Sequence, residues 1–527
     1  MKLITIVLSF AVPATMMAQE QPQRPGRFQR QAAAEAPMTR TNPPGAASGG
    51  TNTPAGEKID ETPVVTHHEI TVHGKTLKYT ATVAQMPILS SEGETEAHFF
   101  YVAYTLDDGT NNPAKRPLSF LFNGGPGSPT IWLHMLALGP KRSKLLDDGS
   151  MPEPPFTLVD NDDTILEHTD LVFIDAIGTG YSRAKTPELA RRFNGVQGDL
   201  AAFGEFFRMY LTRNNRFVSP LYIIGESYGT FRAAGLAGNL IEQGIAFNGI
   251  ALISTVLNFE TLRPGLNNGL GYALNIPTYA ADAWFHKKLP ADLQKKSLTS
   301  VLKEVEAWSM GAYLAALNKG DDLPAAERAD VVAKLARYTG LESRYVDESN
   351  LRYGVPQFTR QLLRDQKLTI GRLDGRLTGP SPLNAGEFAE FDPAGTLPEP
   401  PVVATFMNYI RQDLHYKVDM RYYLSGGIQQ WDWGQPNSYA DTGTLLRNAF
   451  TKNPHLKVLV CAGYYDLATP YFEAEYALNH ISLHPEMRKH VQWAFYESGH
   501  MMYLNRPTHD KLNRDLSEFI TGTSPAP

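Results

Sequence analysis

The 527 residues carry 49 Lys and Arg against 55 Asp and Glu, a formal net charge of -6 spread along the chain, which excludes the basic footprint of a nucleic-acid or acidic-membrane binder. With 42% apolar and 20% charged residues, the composition is that of a globular chain with room for one large domain plus an insertion. A single cysteine, Cys461, excludes an intramolecular disulfide, so the fold must rest on its core.

Lys2, the apolar stretch Leu3 to Met17 and Ala18, then an abrupt change to Gln19-Glu20-Gln21, have the three regions of a secretory signal peptide over residues 1–18. The stretch is short for a span and contains Pro13, so no stable membrane insertion is expected after cleavage; the expected location is periplasmic or secreted. Residues 19–60 are rich in Pro, Gly, Ala, Gln, Thr and Arg, with Phe28 their one aromatic, and read as a disordered linker that cannot offset the entropy of ordering.

From Val64 the pattern turns strand-like, with alternation in Glu69 to His73 and Leu77 to Ala81. His67, His68 and His73 lack a carboxylate or cysteine at ligand spacing and read as surface or edge-strand histidines; no metal or cofactor is expected anywhere. The buried-strand run Pro117 to Phe122 ends in the loop Asn123 to Gly127, and a second run, Leu171 to Ile174, ends in Asp175 to Gly180. Leu200, Phe203, Phe207, Tyr210 and Leu211 share one helical face, and the strands Leu221 to Ile224 and Gly249 to Ile253 flank a helix from Phe231 to Glu242.

Continuously apolar strands alternating with amphipathic helices predict an α/β fold, a mostly parallel sheet covered by helices on both faces. Its first part spans 61–256. The alternation lapses over 257–437, which is mostly helical (Leu289 to Asn318, Pro324 to Leu341, Pro356 to Lys367) and reads as a cap insertion. It resumes over 438–527 with the strand Leu456 to Val460, a helix near Tyr471 to His480, the strand Val491 to Phe495 and a closing helix from Thr508 to Ile520.

Gly225-Glu226-Ser227-Tyr228-Gly229 lies between a strand and a helix, the context of a nucleophile elbow. A serine hydroxyl needs a base, and the base needs an orienting carboxylate, in the order serine, acid, histidine for this kind of sheet. Asp466 follows the strand 456–460 and His500 follows the strand 491–495, each at a carboxyl end. Taken singly, Asp466 is as well read as a helix cap and His500 as an ordinary loop histidine; with the elbow they make a catalytic set. Asp175 competes for the acid role but precedes the serine, and is assigned to its own loop; Glu497 is a further carboxylate near His500. An oxyanion needs backbone N–H donors, for which Tyr228 and Gly125 are the candidates, the alternative being that Asn123 to Gly127 is a mere turn.

Asn123-Gly124-Gly125-Pro126-Gly127 with Leu138-Gly139-Pro140, Gly178-Thr179-Gly180-Tyr181-Ser182, the Ser227 pentapeptide and Gly499-His500-Met501 resemble the signature blocks of serine carboxypeptidases, in family order from about residue 115 to 505. The resemblance implies an α/β-hydrolase fold and removal of C-terminal residues from peptides with a free C-terminus, commonly at acidic pH. It also implies that Asn123, Gly124 and Glu226 bind the substrate's terminal carboxylate, Glu226 donating a hydrogen bond when protonated. Two departures stand out. Ala137 precedes Leu138-Gly139-Pro140 where the family usually has a second glutamate, and Ser128 replaces its usual cysteine. The expected activity is therefore a serine carboxypeptidase working through an acyl-enzyme. An esterase or acyltransferase using the same triad is the alternative. A catalytically dead binding protein is a third class, opposed by the intact Ser227, Asp466 and His500.

Overall fold

The computed structural model describes residues 59–107, 109, 112–434 and 437–522; the expected signal peptide (1–18) and all but the last two residues of the expected linker (19–60) lie outside the described residues. The chain enters the fold through the hairpin β1 (Val64–Val72) and β2 (Lys75–Leu89), whose two-residue turn places His73 at φ +47° and Gly74 at φ +81°. Two positive φ values in succession give the turn a twist that matches the strands, and glycine takes the second without steric cost. The remaining main strands are β3 (Thr95–Leu106), β4 (Leu118–Phe122), β5 (Asp170–Ile174), β6 (Leu221–Glu226), β7 (Gly249–Ile253), β8 (Lys457–Gly463) and β9 (Val491–Tyr496). Their order across the sheet is β1-β2-β3-β5-β4-β6-β7-β8-β9, antiparallel as far as β5 and parallel from β5 to β9. This is the expected α/β-hydrolase fold.

The helices that bear on the site are α1 (Val196–Arg213), α2 (Tyr228–Leu240), α3 (Gly269–Phe285), α4 (Leu298–Trp308), α5 (Ala325–Thr339), α6 (Glu399–Gln412), α7 (Gly443–Lys452), α8 (Tyr471–Asn479) and α9 (Arg506–Thr521). β4 to β7 are buried along their whole length because both faces are covered, which is why their sequences read as unbroken apolar runs. Alternate residues go to opposite sides. Ile223 and Leu252 join a core with Phe203 and Phe207 of α1, Leu236 of α2 and Phe450 of α7. Ile224 and Ile253 join a second core with Leu512 and Leu516 of α9.

Helices of the segment read as the cap pack in two apolar clusters. α3, α4 and α5 contribute Ala273, Tyr279, Val305 and Leu335 to a third cluster, which also holds Phe358 of the helix Val355–Gln361. α6 instead buries Val402, Phe406, Tyr409 and Ile410 in the second core of the sheet. Helical periodicity marks an apolar stripe without saying which neighbours will cover it. The helical stretch expected over 289–318 is helical in consecutive pieces. Ala291–Gln294 ends before Ser297, whose hydroxyl accepts the Ser300 N–H to start α4, and a wider turn at Ser309–Tyr313 precedes Leu314–Lys319.

Candidate active site

β6 ends at Glu226 and α2 begins at Tyr228, leaving Ser227 alone in the turn at φ +59°, ψ -130°. A side-chain-bearing residue in that region is strained, and the surroundings must hold it there. Two glycines make the turn possible. A Cβ on Gly225 would lie 2.3 Å from the Gly229 carbonyl oxygen, and one on Gly124 would lie 2.3 Å from the Tyr228 nitrogen. The second contact brings the Asn123–Gly127 loop after β4 directly against the elbow. Neither the Gly125 nor the Tyr228 amide has a hydrogen-bond partner among the described residues, so both N–H groups are available there. The loop is anchored from behind by Arg232 of α2, fully buried, which donates to the Asn123 carbonyl at 2.9 Å and to both oxygens of Asp199 at 2.7 and 3.1 Å.

The strand register carries the other two residues to the same edge. Ile253, opposite Glu226 in the parallel pair, accepts the Ser227 N–H at 2.9 Å, and the next residue, Ser254, donates its hydroxyl to the His500 carbonyl at 2.6 Å. His500 Nδ1 donates to Asp466 Oδ2 at 2.8 Å. The same carboxylate accepts the Thr469 hydroxyl at 2.7 Å and the N–H groups of Ala468 and Thr469 at 2.8 and 3.0 Å. Asp466 therefore does what the plainer reading allowed, ordering the turn that leads to α8, and also holds His500. With Nδ1 committed as donor, Nε2 is the basic nitrogen. Burial acts to lower the His500 pKa, but the charge and hydrogen bond of Asp466, helped by Glu226, bring the net shift above the ordinary value.

Glu226 is 3% exposed. Burial pushes its carboxyl up to about 7, against the pull of His500, the Tyr503 hydroxyl and the Asn123 amide. Tyr503 donates to Oε2 at 2.5 Å. The Asn123 Oδ1 accepts the Leu133 N–H at 3.1 Å, which leaves its amino group toward Glu226 and Tyr503. Ala137 lies buried in the short wide helix Leu133–Leu138, and its carbonyl accepts Asn161 Nδ2 and His509 Nε2. Asp175 stands apart from this set. It accepts the Thr130 N–H at 2.8 Å and interacts with Tyr422, and burial raises it to about 7, so it organises its own loop. Glu497 is exposed and contributes a carbonyl.

Two groups of residues were not legible beforehand. Tyr503 is one. The other is the segment Arg372 to Arg376, which is hydrogen-bonded to the loops after β8 and β9. The Arg372 and Leu373 carbonyls accept the Leu467 and His500 N–H groups at 3.1 and 2.6 Å, and the Gly375 N–H donates to the Tyr465 carbonyl at 3.0 Å. Asp374 Oδ2 accepts the Gly499 N–H at 3.1 Å and Arg376 Nη2 at 2.6 Å, while Arg376 Nη1 donates to the Glu497 carbonyl at 2.5 Å. Asp282 of α3, fully buried, packs its carboxyl onto the Cα of Gly375; burial holds it well above the usual carboxylate range, with Asp374 adding to the shift. The Asp374-Gly375 pair was the one available signal, and it marks a turn without naming what the turn touches.

Residues 88–338 match a family model described as serine carboxypeptidase; the match includes Asn123, Glu226 and Ser227 and ends before Asp466 and His500. No curated protein matches the chain. Among solved structures, it is similar to a proline iminopeptidase of Mycobacterium smegmatis at 14% identity and TM-score 0.32, covering 87% of this chain and 98% of that one. It is also similar to a carboxyl esterase from Bacillus coagulans (14%, TM-score 0.33, 84% and 98%) and to a monoglyceride lipase from Saccharomyces cerevisiae (11%, TM-score 0.35, 84% and 96%). Likenesses this distant say nothing of the reaction, and the fold rests on the strand order.

Proposed function

From the premise that residues 88–338 belong to the serine carboxypeptidase family and make this chain a serine-type hydrolase, we propose that it removes C-terminal residues from peptides through a Ser227–His500–Asp466 triad. His500 Nε2 takes the Ser227 hydroxyl proton as Oγ attacks the last peptide carbonyl, and Asp466 stabilises the imidazolium that forms. The oxyanion is met by the N–H groups of Gly125 and Tyr228. His500 then gives the proton to the departing amine, and water, activated by the same nitrogen, hydrolyses the acyl-enzyme and restores Ser227. Asn123, Gly124 and Glu226 receive the substrate's free carboxylate, which Glu226 can meet without repulsion only when it carries a proton.

The observation that carries this reading is the buried Glu226 beside Ser227, within electrostatic reach of the Asp466-bound His500. A generic esterase site gains nothing from such a carboxyl. The test is a matched pair of peptides differing only in a free or amidated C-terminus. The free acid should be cleaved at least ~100-fold faster below pH 7, the worth of a charge-assisted recognition contact made in the transition state; equal rates would refute it. Ala137 supports the second reading, an esterase or acyltransferase, because no second carboxyl side chain extends from that position. Faster turnover of acyl esters with negligible peptide cleavage would establish that alternative. Residues 1–18 support export to the periplasm or beyond, to be tested by fractionating cells that express the full chain.

A further inference from the structure

Glu226 is faced by Tyr503 and His500 from the loop after β9, by Asp466 from the loop after β8, and by the Asn123 amide from the loop after β4. Tyr503 is 3% exposed, and its hydroxyl reaches one specific oxygen, Oε2. A phenol cannot share a proton with a carboxyl as a second acid would. Burial, and then the charge of Glu226, hold the Tyr503 hydroxyl well above its ordinary value, so it keeps its proton at any pH the enzyme meets, and with the Asn123 amino group directed at its oxygen that proton points to Glu226 Oε2. A donor fixed on Oε2 leaves that oxygen an acceptor and sends any carboxyl proton to Oε1.

We propose that Tyr503 is a positioning residue for substrate recognition: it orients the Glu226 carboxyl and confines its exchangeable proton to Oε1, the oxygen that meets the substrate's terminal carboxylate. The proposal rests on the recognition role given to Glu226 above. No covalent bond changes; the proton stays on Glu226 and is shared in a hydrogen bond with the anion. Because the Tyr503 hydroxyl also favours the charged form of Glu226, it sets the upper pH limit of carboxylate binding lower than burial alone would.

The test measures inhibition by an N-acylated amino acid, a product analogue with a free carboxylate, against hydrolysis of an acyl ester, from pH 4.5 to 8.5. Tyr503→Phe removes one oxygen and keeps the ring. Its inhibition constant for the acid should rise about 10-fold at pH 5, the worth of one hydrogen bond to a carboxyl. The pH at which inhibition fades should move upward by roughly one unit as the donor is lost. In a Glu226→Gln background, whose amide donates at every pH, inhibition should persist to high pH and Tyr503→Phe should move no limb. Wild-type enzyme that binds the acid no better than its amide would remove the recognition role itself. Wild-type discrimination with an unmoved limb in Tyr503→Phe, or equal losses for acid, amide and ester, would overturn the role of Tyr503 alone.

Discussion

The loops at the carboxyl edge of the sheet and the segment 372–376 hold the same site by different physics. At the edge, position follows from register: Ile253 lies opposite Glu226 and Cys461 opposite Ile253, so the residues just beyond them arrive together once the strands pair. The segment 372–376 has no sheet to align it, and it reaches Tyr465, Leu467, Gly499 and His500 through individual hydrogen bonds. Residues placed by register should matter to the chemistry itself, and residues placed by such contacts to its alignment.

The largest expected effect is at the edge. Asp466→Asn should lower kcat by about 10^4-fold with the fold intact, since the amide neither stabilises the imidazolium nor fixes the tautomer. The acid limb of the residual activity sharpens the point. With His500 as the proposed base, activity should need its neutral form and be lost as pH falls through its raised pKa. Without the Asp466 charge, burial dominates, and that limb should move to lower pH. Next comes the segment 372–376. Arg376→Ala frees the Glu497 carbonyl and the Asp374 carboxylate, and misalignment of His500 on the ångström scale should reduce kcat about 10- to 100-fold. A change confined to KM would mean that 372–376 is only part of a cover, and the contrast between the two regions would fail.

A smaller effect separates stability from catalysis. Glu473 of α8 is buried and accepts the Thr261 hydroxyl at 2.5 Å, its second oxygen has no hydrogen-bond partner among the described residues, and burial raises it to about 8. Its folded pKa lies above the unfolded one, so its contribution is full below about 4.5 and is lost as pH rises through about 8, up to ~5 kcal/mol in all. Glu473→Gln should flatten the fall in Tm between pH 5 and 8 without shifting the pH profile of kcat. The least effect belongs to the exposed turn before α3, where Leu266, 80% exposed, changed to Ser should alter stability by under ~0.5 kcal/mol.

The same contrast explains what the sequence disclosed. Ser227, Asp466 and His500 each follow an apolar run whose length and composition mark a strand, and a parallel sheet forces their ends to one edge, so three local readings converged. The Asn123 loop was legible for the same reason. Tyr503 was not, because its partner Glu226 is 277 residues away, and nothing local distinguishes a tyrosine that donates to a buried acid from one that fills space. Asp374 was hidden likewise, since Gly499 lies 125 residues on. α6 was covered only by the reading of 257–437 as mostly helical, and its apolar stripe could fit either neighbour.

The central claim, that Ser227 cuts peptides from their free C-terminus, is tested most directly by digesting one unblocked peptide with the wild type and with Ser227→Ala and following the masses over time. The account predicts a ladder of successive single-residue losses from the C-terminus with the wild type and none with the variant. Internal fragments, or a ladder that survives in Ser227→Ala, would contradict it.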